Sequence, residues 1–520
     1  MQSKGVGTLC DIKDADPFGL NMALVNMALA ERHSLTSRRD SVSADLRQIL
    51  PAASVLGDEE SLRPYECDGL SAYRRLPLVV ALPDTIEQVQ EVVRYCHANG
   101  IPIVARGAGT GLSGGALPIE DGVVLSLAKF NRILDIDADN RSAVVQPGVR
   151  NLAISEAVAH LGLYYAPDPS SQIACTIGGN VAENAGGLHC LKYGLTVHNI
   201  LRLRIVTVDG ELVTIGSDAL DSPGYDFLAL LTGSEGLLGI IVEVTVKLLP
   251  QPECAKVIMA SFDQVEKAGV AVSNIIAAGI IPGGLEMMDN AAIRATEDFV
   301  HAGYDVDAAA ILLCEVDGTP EEVEDEIERV RAVLEESGYS QMQVAADAAQ
   351  RQLFWSGRKA AFPAVGRISP DYYCIDGTIP RKTLGDVLKR MDALSTEYGL
   401  RVVNVFHAGD GNLHPLILYD GNVEGELERT EQLAGKILEI CIEVGGTITG
   451  EHGVGMEKID HMCVQFNSAE LTQFHSVKEA FDPGRLLNPD KAVPTLHRCA
   501  EFGAMHVHGG QLKFPDIERF

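Results

Sequence analysis

The strongest constraint in this sequence is a glycine-rich loop, Arg106–Gly115, in which five of the ten residues are glycine. Gly109, Gly111 and Gly114 match the G-x-G-x-x-G fingerprint of dinucleotide-binding folds, which requires a helix to begin inside the loop. Here a proline and an Asp-Gly pair follow, and the chain then enters an apolar strand. This context excludes a nicotinamide-binding Rossmann unit. It predicts a strand–loop–strand cradle whose unobstructed backbone N–H groups bind phosphate, with a flexible linker as the alternative.

Two later stretches are also rich in small and polar residues. They are Pro167–Gln172 and Thr176–Gly187. Small side chains let a backbone lie flat against a ligand. These stretches therefore predict a second ligand-binding surface in the first half of the chain.

A pair of Gly-rich turns in the second half carries the side chains of a metal site. His407 and His414 bound the first turn, and Glu451 and His452 lie side by side in the second. Imidazole and carboxylate are ligands that hold a divalent transition metal. The spacing differs from the helical HExxH arrangement, so the site has to be assembled from two loops. On these residues alone, a metal hydrolase with structural glycine loops is an alternative.

The composition limits the class of protein and its partners. A chain of 520 residues is expected to form two or three domains. Its formal net charge of −30 argues against binding to nucleic acid and against adsorption to an anionic membrane. An anionic substrate would need positive charge supplied locally by the site. No apolar run approaches the length of a membrane span.

The eleven cysteines include no Cys-x-x-Cys pair. An odd, unpaired set fits a reducing compartment and argues against an iron–sulfur cluster in this chain. Leu20–Ala30 is apolar but short and follows several aspartates, so a short helix or loose leader is favoured over a signal peptide. The polar stretch 34–45 predicts poor order.

Periodicity predicts a mixture of strands and helices. The spacing of Asp84-Thr-Ile-Glu87 predicts a capping box at the start of a helix, and Pro320–Ser337 predicts an acidic helix with one buried face. Pro250 and Pro252 mark a domain boundary. Beyond them we expect an α+β layer in which a sheet is covered on one face.

The glycine-rich segments resemble the FAD-binding domain of the vanillyl-alcohol oxidase and p-cresol methylhydroxylase enzymes. The second half, with its two metal-type turns and Asp482-Pro-Gly-Arg-Leu-Leu-Asn-Pro489, is similar to the cap of FAD-linked D-2-hydroxy-acid dehydrogenases. Within that family the resemblance is closest to the glycolate-oxidising branch, and it covers about residue 50 to the end. It implies an α+β fold: a leader over 1–45, a two-part FAD-binding domain over 46–252, a substrate and metal cap over 253–480, and a helical C-terminal segment over 481–520 that returns to the FAD domain.

The resemblance implies non-covalent FAD, because no histidine lies in the Arg106–Gly115 loop where some relatives attach the cofactor. The loop would hold the pyrophosphate, the second surface would line the flavin, and Gly236 with Ile241 would meet the adenine side. The implied cofactor-binding residues are Arg106, Gly107, Ala108, Gly109, Thr110, Gly111, Leu112, Ser113, Pro167, Asp168, Ser170, Ser171, Gly178, Gly179, Asn184, Gly236, Ile241 and Asn488.

The resemblance also implies a divalent metal, zinc, manganese or iron, held by His407, His414 and Glu451. His452 would be the catalytic base. Arg358 would clamp the substrate carboxylate with its planar fork, and Lys359 or Arg367 could take that role instead.

The implied reaction is oxidation of glycolate to glyoxylate by hydride transfer to FAD, with D-lactate as a second substrate. A dedicated D-lactate or D-2-hydroxyglutarate dehydrogenase is the alternative; the 2-hydroxyglutarate branch carries a lysine close to the position of Cys374, which weakens that choice. A non-catalytic FAD scaffold is a further alternative. The implied partners are a second flavoprotein subunit and an iron–sulfur subunit, which would hold a soluble cytoplasmic chain at the inner membrane without direct membrane insertion.

Overall fold

The structure is a computed structural model that describes residues 34–219 and 224–494. Its strands are β1 (Val55–Leu56), β2 (Val79–Ala81), β3 (Ile103–Arg106), β4 (Val123–Ser126), β5 (Ile133–Asp137), β6 (Ser142–Val145), β7 (Leu163–Tyr164), β8 (Ile200–Val206), β9 (Leu212–Gly216), β10 (Ile240–Lys247), β11 (Leu249–Pro250), β12 (Cys254–Phe262), β13 (Gly284–Asp289), β14 (Ala310–Gly318), β15 (Gln341–Val344), β16 (Asp371–Cys374), β17 (Val402–Phe406) and β18 (Pro415–Tyr419).

Helices alternate with these strands in both halves of the chain. They are α1 (34–49), α2 (Glu59–Leu62), α3 (Ile86–Ala98), α4 (Asn151–Val158), α5 (Ile177–Glu183), α6 (Cys190–Tyr193), α7 (Phe227–Leu231), α8 (Val265–Ala277), α9 (Asn290–Val300), α10 (Pro320–Ser337), α11 (Ala348–Lys359), α12 (Ala361–Val365), α13 (Leu384–Tyr398), α14 (Glu426–Glu443), α15 (Ile459–Gln465) and α16 (Ser468–Phe481). Among the described helices, none combines the length and apolar character that a membrane crossing requires.

Two sheets organise the N-terminal domain. In the first, β2, β4 and β3 run parallel and β1 pairs antiparallel with β2. These short apolar strands are buried, as expected for parallel strands covered on both faces. The second sheet is antiparallel, in the order β5-β6-β10-β8-β9. The glycine-rich loop leaves the carboxyl end of β3 and returns to β4, so it lies at the edge of the parallel sheet.

The second domain is built on a seven-stranded antiparallel sheet in the order β15-β12-β14-β13-β17-β18-β16. Ile258 and Phe262 of β12 pack in a core with α8, α10, α13 and α14. Val257 and Met259 point to the opposite face and pack with α9, α11 and α12. The prediction of a sheet covered on one face is therefore wrong, because successive strand residues are apolar and both faces are buried.

The helix over 34–49 corrects the predicted leader. Val42 and Leu46 lie one helical turn apart and are 4% and 0% exposed in the core of the parallel sheet. The polar stretch 34–45 is therefore the outward face of an ordered helix, and the ordered chain begins earlier than residue 46. The predicted short helix or leader over Leu20–Ala30 lies outside the described residues.

Three smaller expectations also change. Helix α3 is capped by Thr85, whose side chain accepts from the N–H of Gln88, so the predicted cap is displaced by one residue and the capping box predicted over Asp84–Glu87 is wrong. Residues 482–494 contain no helix, whereas a helical C-terminal segment was expected; residues 495–520 lie outside the described chain. Cys463 is disulfide-bonded, so the expectation of a wholly unpaired cysteine set is wrong.

The acidic helix Pro320–Ser337 has the predicted bounds and buried stripe.

Candidate active site

The glycine-rich loop has the form of an anion cradle. Between β3 and β4 the chain makes only bends and turns, so the predicted absence of a helix is confirmed. Gly109 adopts a left-handed φ of +70° that other residues rarely adopt. Within the described chain, none of the backbone N–H groups from 107 to 115 donates a hydrogen bond to a protein acceptor. A run of free donors lining a cavity is suited to a pyrophosphate.

The opposite wall of the cradle is α5, a short helix where the sequence suggested only a flat backbone. Its start packs against the end of β6: the N–H of Gly178 donates to the carbonyl of Pro147 at 2.8 Å. A Cβ on Gly107 would stand 2.4 Å from the Thr176 hydroxyl oxygen, so loop and helix touch through bare backbone. That hydroxyl is buried without a protein partner, which leaves it for a ligand. The residues on both walls fit the phosphates of FAD.

The segment 482–494 packs behind the glycine-rich loop and forms hydrogen bonds with it. Leu487 bridges to Ile103 of β3. The Asn488 amide donates to the carbonyls of Gly115 and Glu235 at 3.0 and 2.7 Å. Lys491 donates to the carbonyl of Gly115 at 2.9 Å. Asn488 therefore supports the loop from behind.

The second half contributes a cluster of imidazoles around one carboxylate. The Nε2 atoms of His407 and His414 lie 3.4 and 3.0 Å from Oε1 of Glu451. Donor atoms of the three residues all fall within 4.8 Å of one another. His407 follows β17, His414 precedes β18, and Glu451 lies on a third loop, so the sheet brings together residues that are distant in sequence. This set of donors suits zinc, manganese or iron.

A buried carboxylate orients the first of these histidines. β13 pairs with β17, which brings Glu286 beside His407 with 2.7 Å between Oε1 and Nδ1. Burial alone would lower the pKa of His407, but the carboxylates of Glu286 and Glu451 raise it to about 10. The two carboxylates that favour the protonated His407 ring would equally favour a divalent cation in place of the proton.

The turn that carries Glu451 and His452 is anchored by Asp376, which is 0% exposed. One oxygen of Asp376 accepts from the N–H groups of Gly450, Glu451 and His452 at 2.9, 2.8 and 2.8 Å. Its other oxygen lies 2.8 Å from Nζ of the equally buried Lys458. This carboxylate therefore fixes the backbone from which both functional side chains project.

His452 lies flat on His414, with ring centroids 4.9 Å apart and planes tilted by 13°. Its Nδ1 is buried without a hydrogen-bond partner among the described residues. Burial lowers the pKa of His452 to about 4, so its ring is neutral at neutral pH. The His452 ring therefore lies beside the cluster of His407, His414 and Glu451.

A single cavity of about 380 Å³ reaches from the glycine cradle to this cluster. His414, Glu451 and His452 line it, whereas His407 and Arg358 lie behind the wall. The predicted cofactor-binding residues that line it are Arg106, Gly107, Ala108, Gly109, Thr110, Gly111, Leu112, Ser170, Ser171, Gly178, Gly179, Gly236 and Ile241.

The remaining predicted cofactor residues lie behind this wall. Ser113 is 0% exposed, and the side-chain oxygen of Asn184 accepts from the N–H of Val197. Asp168 pairs with Nδ1 of His189 at 2.8 Å. Pro167 is buried, with its carbonyl accepting from the Asn151 amide. Together with Asn488, these residues support the cavity wall instead of lining it.

The placement of Arg358 differs from the expected open clamp. It is 2% exposed, and its Nε and one terminal nitrogen each lie 2.8 Å from an oxygen of Glu286. At most the other terminal nitrogen remains for a substrate, so the predicted two-pronged contact is not available in this arrangement. Lys359 lines the cavity. Arg367 is exposed and stacks over Phe299, away from the cavity.

Several residues of the site escaped sequence reasoning. Glu286 is a single acid in a buried apolar strand, and that is the one signal that could have indicated it, whereas Asp376 lies in the loop after β16 and offered no such signal. Glu183 and Glu235 line the cofactor cavity, and neither was assigned a role from the sequence. Their positions depend on tertiary packing.

Comparison with known proteins agrees with this geometry. Family models described as "FAD binding domain" and "FAD linked oxidases, C-terminal domain" match residues 77–216 and 251–492. Glycolate oxidase subunit GlcD of Escherichia coli (strain K12) is 66% identical over 482 residues, 93% of this chain and 97% of that protein. D-lactate dehydrogenase of Anaerostipes hadrus is 34% identical over 86% of this chain and 95% of that protein. The crystal structure of p-cresol methylhydroxylase covers 88% of this chain and 98% of its own, with a TM-score of 0.74 at 19% identity.

This chain belongs to the FAD-linked oxidases. It is an FAD-dependent oxidoreductase with the α+β fold of the p-cresol methylhydroxylase type, so the resemblance, the fold class and the FAD cofactor are confirmed. The alternative of a metal hydrolase finds no support among these relatives.

Proposed function

We propose that this protein oxidises glycolate to glyoxylate with FAD as the hydride acceptor, and accepts D-lactate as a second substrate. The observation that carries the proposal is the single cavity shared by the FAD cradle and the His414–Glu451–His452 wall. The choice of substrates is supported by the relatives, which are named as a glycolate oxidase subunit and a D-lactate dehydrogenase.

The metal site would consist of His407, His414 and Glu451. Two nitrogens directed at one carboxylate oxygen, with Glu286 behind His407, form a set that a divalent cation can fill once the His407 proton leaves. Such a cation would supply Lewis acidity that lowers the pKa of the substrate hydroxyl. Three protein ligands leave positions open for a substrate.

The chain's own residues would then carry out the proton transfer. Neutral His452 would accept the hydroxyl proton, and FAD bound in the cradle would supply the hydride acceptor, so that glycolate would lose one proton and one hydride. Stacking on His414 and the Asp376-anchored backbone hold the His452 ring in one orientation. The predicted cofactor residues that line the cavity would contact FAD directly, and those behind the wall would hold them in place.

We propose that the substrate carboxylate is held by Arg358, which lies behind the cavity wall with one terminal nitrogen not engaged by Glu286, together with Lys359, which lines the cavity. Arg358→Lys keeps a cation beside Glu286 but loses that nitrogen, so we expect KM for glycolate to rise about tenfold or more with FAD retained. Lys359→Met should raise KM less, because Lys359 is exposed and its charge is screened. Steady-state kinetics on both variants measure the two KM values. A larger rise in KM for Lys359→Met than for Arg358→Lys would assign the carboxylate contact to Lys359.

The sequence holds no Cys-x-x-Cys pair that would indicate an iron–sulfur cluster able to take electrons from reduced FAD. We propose that the chain works as the FAD-linked subunit of a multi-subunit glycolate oxidase, with a second flavoprotein subunit and an iron–sulfur subunit. These partners would keep a cytoplasmic chain at the inner face of the membrane. The Escherichia coli relative is named as a subunit of glycolate oxidase, which supports a complex.

The substrate assignment is tested by anaerobic reduction of the bound flavin. We expect glycolate to bleach the flavin absorbance fastest, D-lactate to follow, and D-2-hydroxyglutarate to react far more slowly. The protein should be analysed for metal before each experiment. A faster reaction with D-2-hydroxyglutarate than with glycolate would show that the substrate is wrong, and no bleaching by any of the three would favour the FAD scaffold.

A further inference from the structure

Glu183 is a carboxyl group in the cofactor cavity that the proposed reaction does not use. It ends α5 and lines the cavity. A Cβ on Gly115 would stand 2.9 Å from its Oε1, and a Cβ on Gly453 would stand 2.2 Å from its Oε2. The group is therefore enclosed between the glycine cradle and the turn that carries His452.

No described residue satisfies this carboxyl group. Oε2 is buried without a hydrogen-bond partner, and Glu183 forms no ion pair within the described chain. The nearby Lys491 directs its nitrogen to the carbonyls of Gly115 and Leu117 and to the side-chain oxygen of Asn488. An ionised carboxylate in such a place would be strongly destabilised.

A second carboxyl group, Glu235, packs against the same point. A Cβ on Gly453 would stand 3.0 Å from its Oε1, yet no hydrogen bond joins the two described carboxyl groups. Glu235 accepts from the N–H groups of Val454 and Gly455, each at 2.7 Å. These donors stabilise negative charge on Glu235, so the proton of the pair belongs on Glu183.

The electrostatics agree with this assignment. Burial, and then the neighbouring charge of Glu235, raises the pKa of Glu183 well above its usual range. The other ionisable groups that face Glu183 are Asp68, Lys458 and Lys491. FAD carries negative charge on its pyrophosphate, and an ionised Glu183 in the same cavity would oppose its binding.

We propose that Glu183 is a proton-bearing carboxylic acid that donates a hydrogen bond to bound FAD. It is thus a positioning residue for the cofactor, with Glu235 as the ionised partner that fixes the His452 turn. The proposal requires FAD binding alone and is independent of the substrate, so inactivity with glycolate would leave it untouched.

Infrared spectroscopy of the flavin-free protein tests the proton directly. We expect wild type to show a carbonyl band of a protonated carboxylic acid that shifts in D₂O, and Glu183→Gln to lack it. Adding FAD should move the band to lower frequency, because the acid then donates a hydrogen bond. A carbonyl region that is the same in wild type and Glu183→Gln would overturn the proposal, since it would mean an ionised Glu183.

FAD affinity, measured by calorimetry, tests the hydrogen bond. Glu183→Gln remains a neutral donor, so its Kd should stay within about threefold of wild type, whereas Glu183→Ala should bind FAD about tenfold or more weakly. Glu156→Gln, an exposed acid of α4, is the control. Equal losses in the Gln and Ala variants, or no loss in the Ala variant, would contradict the proposal. If the Ala variant does not fold, the infrared result alone decides.

Discussion

Replacing His414 with alanine is expected to abolish turnover while leaving FAD bound. His414 contacts Glu451 through Nε2 and supports the His452 ring, so one substitution removes a proposed metal ligand and the packing of the base. The cradle over 107–112 and helix α5 lie on the other domain and keep their contacts. Loss of the metal and misplacement of the base together predict a fall in the rate of flavin reduction of about 1,000-fold or more.

Three measurements on the same preparation check this result. Flavin absorbance gives the FAD content, metal analysis gives occupancy, and anaerobic stopped-flow gives the rate of flavin reduction by glycolate. His160→Ala, an exposed histidine of the FAD domain, is the matched control and should behave as wild type. An active, metal-free His414→Ala protein would refute the proposed chemistry, and loss of FAD together with activity would give His414 a structural role instead.

Sequence motifs indicate the residues that the structure brings together where those residues lie in local Gly-rich segments. The glycine-rich loop was correctly separated from a Rossmann loop because a proline and an Asp-Gly pair leave no room for a helix. Imidazole and carboxylate side chains that cluster in Gly-rich turns are easily recognised in the sequence. The structure brings these side chains together; they belong to His407, His414, Glu451 and His452.

The sequence does not indicate a hydrogen-bond partner that lies on a helix or strand distant in the chain. Glu286 meets His407 across two paired strands, 121 residues apart in sequence. Arg358 illustrates the same limit: its residue type suggests a free carboxylate clamp, but Glu286 occupies most of its donors. The helix over 34–49 was missed because its polar face outweighs a narrow apolar stripe in composition.

Asp376→Asn is the second substitution with a large expected effect. Asp376 and Lys458 are both 0% exposed and form an ion pair at 2.8 Å. An asparagine oxygen can still accept from the Gly450–His452 backbone, but its NH₂ group would face the Lys458 ammonium. That leaves Lys458 with Glu457, at 2.9 Å, as its remaining carboxylate partner, and breaking a buried pair costs up to about 3–5 kcal/mol of folding free energy.

The effect has a defined pH dependence. Burial alone would raise the pKa of Asp376, but Lys458 and the nearby histidines lower it to about 2. Because the folded pKa lies below the unfolded value, the stabilisation from this charge is present at neutral pH and is lost only as the pH falls through about 2. The stabilisation from the Asp376 charge itself should therefore be constant across the neutral range, whereas Glu457, whose pKa burial raises to about 7, titrates there.

A double variant separates the ion pair from the anchoring of the turn. Lys458 also lies 2.9 Å from Glu457, and burial raises the pKa of Glu457 to about 7, so Glu457 can become neutral when the lysine is removed. Asp376→Asn/Lys458→Met should hence recover at least half of the stability lost by Asp376→Asn, measured by urea unfolding of FAD-saturated protein. Asp386→Asn, an exposed acid of α13, is the control and should change stability by less than about 0.5 kcal/mol. If the stability losses of the two single substitutions simply add in the double variant, Asp376 acts only by anchoring the turn backbone. A buried ion pair would instead show a coupling energy between the two substitutions.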